Sequence, residues 1–149
     1  MIGIKETKRA CNRLLADTFP GVPVYGNDTF DGYARPSFFT EIRQRAYRSG
    51  NKNSVTKGYS FIATLFERSH DEAYCLDVVD KVQQAFGLAI HTEGGLAVVE
   101  EIDYEWIGQG ADQLQITVDF INRTEIREKQ DPEEAMKTLG LDVKERSAK

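Results

Sequence analysis

Ile4, Cys11, Leu14 and Leu15 recur near helical spacing, with Lys5, Lys8, Arg9 and Arg13 elsewhere on the wheel. The spacing predicts a helix over 4–18, stopped by Pro20 and Gly21. Val22 to Tyr25 reads as a short extended piece. Pro23 cannot donate to a ladder, so this piece is an edge strand or a covering segment. Residues 26–36, dense in Gly, Asn, Asp and Pro, read as a loop. Two extended runs follow, 37–47 and 55–66, joined by RSGNKNS in a hairpin with a polar tip. Tyr59, Phe61, Ala63 and Leu65 line one face of the second run. Ser60, Ile62, Thr64 and Phe66 line the other, so that strand is covered at least partly on both faces.

Ser69-His70-Asp71-Glu72 matches a capping box, with the serine as cap. The predicted helix runs from about His70 to Phe86, with Cys75, Val78, Val79, Val82 and Phe86 on one stripe. Gly87 ends it. A second hairpin shows the clearest period of two. Leu96, Val98, Ile102, Tyr104 and Trp106 alternate along one strand, and Leu114, Ile116, Val118 and Phe120 along the next. Gly108-Gln109-Gly110 forms the turn. Glu100 falls on the apolar side of the first strand, which places it at the core's edge or at a bulge. Past Asn122 the chain turns polar. Asp131-Pro132-Glu133-Glu134 opens a short helix ending near Leu139, marginal without packing.

The predicted fold class is α+β: an antiparallel sheet of about four strands, two β-hairpins, with two helices packed on one face. The predicted organisation is one domain over 1–124 and a polar tail over 125–149. The chain has 149 residues, of which 40% are hydrophobic and 29% charged. That supports one core and excludes global disorder. Two cysteines exclude a disulfide-stapled scaffold. The apolar runs are too short for a spanning helix, and the N-terminal residues lack a signal-peptide pattern.

Catalytic chemistry finds little support. His70 and His91 are single and distant, His70 in the capping box and His91 in an HTEGG loop. No HxxxH, CxxC or phosphate loop occurs. Cys11 and Cys75 lie on helix stripes and read as buried structural thiols. No cofactor, metal site or catalytic residue is expected. Glu101, Asp103 and Glu105 share one strand face. Such a row can hold a hard cation or paired acids, but a solvated or salt-bridged face is the plainer reading.

Charge is sorted along the chain, although the net charge is only −5. Between Glu93 and Asp119 there are seven acids and no Lys or Arg. Between Glu41 and Lys57 there are five bases, Arg43, Arg45, Arg48, Lys52 and Lys57, against one acid. Three readings follow. The basic hairpin of one copy meets the acidic hairpin of the next, in a heterologous contact that closes a ring. The basic hairpin touches nucleic-acid phosphates. Or the two hairpins neutralise each other within one subunit.

The opening stretch IKETKRACNRLLADTFPGVPVYGNDTFDGYARPSFFTEI resembles the phage tail terminator family of Gram-positive prophages. The shared features are a helix ending in FP, the VPVYG segment and the RPSFF close of the loop. AFGLAI at the end of the second helix and the final strand ITVDFINR also fit. The resemblance covers about residues 2–124. It implies a non-enzymatic virion protein with a lambda-type terminator fold, made in the host bacterial cytoplasm. Such a protein assembles as a ring, typically a hexamer, that caps the tail tube and ends tail polymerisation. The ring joins the head-completion or connector protein, and DNA passes only transiently through its lumen. On this reading Arg43, Arg45, Arg48, Lys52, Lys57, Glu101, Asp103 and Glu105 form the subunit interface. A head–tail adaptor or minor tail protein, and a small α+β ligand-binding or regulatory domain, remain as alternatives.

Overall fold

The computed structural model describes residues 2–26, 36–67 and 69–125, without the side chains of Asn51 and 123–125. Residues 27–35 of the predicted loop over 26–36, the short helix near 132–139 and nearly all of the tail lie outside the described residues.

Helix α1 spans Ile4–Thr18. Its start is held by Glu6, whose carboxylate accepts from the Gly3 N–H at 2.8 Å. The Thr7 hydroxyl donates to the Gly3 carbonyl at the same distance. Helix α2 spans Glu72–Phe86. Its cap is Asp71 rather than Ser69, with the Asp71 side chain accepting from the Tyr74 N–H at 3.2 Å. Asp71 sits one residue before the first helical residue, and its carboxylate satisfies an otherwise orphan donor. Gly87 closes α2 as expected, at φ 58° and ψ −134°, with its N–H on the Gln83 carbonyl. Only glycine occupies that conformation cheaply. Gly87→Ala is therefore expected to cost about 1–3 kcal/mol. Urea unfolding followed by circular dichroism checks this, and an unchanged midpoint would show that the turn relaxes.

The sheet has six strands where the alternation predicts about four. They are β1 Val24–Gly26, β2 Ser37–Asn51, β3 Ser54–Phe66, β4 Ala89–Thr92, β5 Gly95–Ile107 and β6 Gln113–Glu125, in the spatial order β1-β2-β3-β6-β5-β4. β1 is an edge strand, as Pro23 implies, but it pairs parallel to β2. β4 occupies the segment read as a loop: His91 pairs with Leu96, and Thr92 with Gly95. β5 and β6 pair antiparallel. Ser60 meets Asp119 and Thr64 meets Gln115, so β3 also runs antiparallel to β6.

Among the described residues two compact units are present, one within 2–45 and 58–122, the other within 46–57 and 123–125. The first holds nearly all of the core. Phe38, Tyr59, Phe61, Leu65, Leu114, Ile116, Val118 and Phe120 point inward from the sheet and are all but fully buried. Cys11 and Leu15 from α1, with Val78, Val82 and Phe86 from α2, complete the same cluster. Both helices therefore cover one face.

A β-bulge sits between Val99 and Glu101, where Phe120 opposes Val99 and Asp119 opposes Glu101. The extra residue is Glu100, one of its two predicted placements. The bulge reverses the strand's phase. After it Ile102 and Trp106 face the core. Before it Ala97 is fully buried while Leu96 and Val98 are 53% and 46% exposed, so these two do not join the inner row as the unbroken alternation predicts. Asn122 Oδ1 accepts from the Val98 N–H at 3.1 Å beside this shift.

Candidate assembly surface

The sheet face away from the helices is mixed: Ile62 and the Phe39–Phe66 ring pair, 4.9 Å between centroids, lie on it, and the rest of its β3 and β6 portion is polar and charged. On β6 and β3 it carries Gln115, Thr117, Asp119, Ser60 and Thr64. Ser60 donates to Asp119 Oδ1 at 2.6 Å, and Gln115 to the Thr64 hydroxyl at 3.3 Å. Arg45 on β2 reaches over this row. It pairs with Glu100, lies 3.8 Å from Asp119 Oδ1 through Nε, and donates to the Phe120 carbonyl at 3.3 Å. The centre of the face is thus tied together inside the subunit. Neutralisation within one subunit, one of the three readings of the charge pattern, holds for Arg45. Its partners Glu100 and Asp119 lie outside the residues expected at the interface. The bulge turns Glu100 toward the arginine, and only its odd place in the alternation hinted at that.

The other predicted residues divide into groups. Arg43 is exposed and pairs with Glu41 of its own strand at 2.9 Å. In the second unit Arg48 and Lys52 are exposed. Lys57 there is half-buried, with Nζ 5.6 Å from the Tyr47 ring centroid. Glu101, Asp103 and Glu105 are exposed in one row on β5, opposite Asp119, Thr117 and Gln115. No ion pair engages these three among the described residues.

β4 pairs only with Gly95–Val98. From Glu101 onward β5 pairs with β6 on one side, and among the described strands nothing lies on its other side. Alternating carboxylates are a known means of keeping an open edge from pairing indiscriminately. They also leave the edge selective for a basic strand or hairpin.

Elsewhere the surface offers less. A shallow groove between α1 and β4 is lined by Glu6, Arg9, Arg13, His91 and Glu93. Arg9 bridges to Glu93 across it at 2.6 Å. His91 is exposed on β4 rather than in a loop. Burial pushes the Cys11 thiol well above its ordinary range. Both cysteines are buried and free. Among the described residues no helix is long and apolar enough to cross a membrane.

The model of the phage tail terminator protein family matches residues 6–133. The chain, of six strands and two helices, belongs to that family. Its fold is similar to that of a chain in the virion of a native gene transfer agent particle. The TM-score is 0.51 at 16% identity, covering 84% of this chain and 99% of that one. A second solved structure, of a protein without a stated function, gives a TM-score of 0.52 at 10% identity over 81% and 91% of the two chains. No curated protein sequence matches the chain. The protein is a phage tail structural protein of the terminator family.

Proposed function

We propose that the protein caps the tail tube as a ring, most simply a hexamer. The cap stops tube polymerisation and presents the joining surface for the head connector. Family membership over residues 6–133 supports the tail-end role. The observation that carries the ring is the exposed acidic edge of β5, Glu101, Asp103 and Glu105, in a chain whose hairpin tip exposes Arg48 and Lys52. Identical copies offering opposite charges on different surfaces make a heterologous contact, and such a contact closes a ring when its rotation allows. Charge sets the register and speeds the encounter, while strand-edge contact supplies adhesion. Arg45 does not serve this contact, because Glu100 and Asp119 hold it.

No catalytic step belongs to this role. DNA would pass the assembled ring without stable binding.

Purified protein mixed with tail tubes of its phage tests the reading. In electron micrographs, annular density is expected at one tube end and none along the tube wall. Protein bound along the wall, or absent from both ends, overturns it.

A further inference from the structure

Three metal-binding side chains meet where β3 hands over to α2. Glu67 follows the last residue of β3, His70 lies three residues on, and Cys75 sits near the start of α2. One donor atom from each, a carboxylate oxygen, an imidazole nitrogen and a sulfur, lies within 4.8 Å of the other two. The Cys75 thiol donates to Glu67 Oε1 at 3.3 Å. His70 Nδ1 stands 3.8 Å from that same oxygen. Sulfur and nitrogen thus converge on one carboxylate oxygen.

The surroundings suit a bound cation. Cys75 is fully buried and the Glu67 side chain is only 11% exposed, whereas the His70 side chain is 39% exposed. The site is therefore open on its histidine side. Asp71 and Glu72 lie close enough to add negative field at the sulfur. None of the three side chains takes part in the charged face described above.

We infer that Glu67, His70 and Cys75 form a binding site for one zinc-class divalent cation, with water in the remaining position. A mixed sulfur, nitrogen and oxygen donor set selects borderline metals over calcium or magnesium. Three protein ligands and one water form a familiar open zinc geometry. Bonds of about 2.0–2.3 Å set tetrahedral donors about 3.5 Å apart, close to the separations seen at Glu67. Burial and the Glu67 hydrogen bond push the Cys75 thiol up to about 12. Metal binding breaks the S–H bond, releases one proton to solvent and places a sulfur lone pair on the metal. The cation would staple the end of β3 to the start of α2. Trp106 lies beside it, its ring meeting that of His70 edge-on at 5.4 Å.

Trp106 is the sole tryptophan of the sequence, so it reports on the site. The test titrates the full chain, with thiols reduced and no chelator, first with Co²⁺ and then with Zn²⁺. One Co²⁺ per chain is expected, with a near-ultraviolet thiolate-to-cobalt band and quenching of Trp106 emission, both reversed by Zn²⁺. His70→Ala and Glu67→Gln are each expected to weaken Co²⁺ binding about tenfold or more. Cys75→Ser should abolish the band, while Cys11→Ser should keep it. Should Cys75→Ser fail to fold, the His70→Ala titration decides, since that side chain is exposed. Absence of the band in the unaltered protein overturns the site. So does a band that survives Cys75→Ser, or binding that His70→Ala leaves unchanged, either of which marks an adventitious ion only.

Discussion

Phe86→Ala is expected to lower stability by about 3–5 kcal/mol, a large share of the ~5–15 kcal/mol available to an ordinary domain. Phe86 is the last residue of α2 and only 1% exposed. Its ring lies 6.3 Å from that of Phe61 on β3 and 6.4 Å from that of Phe120 on β6. One side chain therefore joins the helix end to two central strands. Truncation removes the transfer energy of the ring and leaves a cavity that stiff sheet residues cannot fill. Leu88 is the internal comparison. It lies two residues further on and is 87% exposed, so Leu88→Ala should change stability by less than about 0.5 kcal/mol. Urea midpoints of the two variants check the pair. A Phe86→Ala cost below about 1 kcal/mol would mean that the core can collapse around the gap.

The same aromatic contacts show what could be read from the chain and what could not. The stripe ending at Phe86 and the glycine after it located the end of α2, and the apolar spacing on α1 matched Ile4–Thr18. Helical periodicity averages over several turns, so one atypical residue does little harm. Strand faces are less forgiving. Alternation has period two, and a single inserted residue exchanges the two faces. At Glu100 that insertion occurs, and Leu96 and Val98 fall on the opposite side from the one the pattern gives. β4 escaped notice because four residues ending in Thr92, with Glu93 and Gly94 next, resemble a loop. Pairing with β5 makes that segment a strand, and pairing is not local information. The charge pattern was visible, but its disposition was not. Arg45 meets Glu100 and Asp119 only because β3 and β6 bring distant segments side by side. Glu67, His70 and Cys75 were within reach, falling in nine residues of sequence, yet their spacing matches no standard ligand motif. The Asp71 cap and the geometry between β3 and α2 draw them together.

If the open edge of β5 receives the basic tip of a neighbouring copy, reversing Glu101, Asp103 and Glu105 to lysine should abolish tube capping. Like charges brought together at a contact cost several kcal/mol, or about 100-fold or more in affinity. The three side chains are exposed and outside every described ion pair, so the substitutions should leave the subunit folded. Lysine is also well tolerated on a strand edge. The decisive arm adds Arg48→Glu and Lys52→Glu to the same chain. If acid and base face each other across copies, the fivefold variant regains much of the lost capping, because each copy again offers opposite signs. Capping is scored as the fraction of tube ends bearing a ring, at low and at high salt. The defect of the triple variant should shrink as salt rises, since exposed charges more than about 8–10 Å apart are screened at ordinary ionic strength. A triple variant that caps normally removes the acidic row from the contact. A fivefold variant that stays inactive while folded assigns the row another partner, the tube protein or the connector, and leaves Arg48 and Lys52 out of the ring.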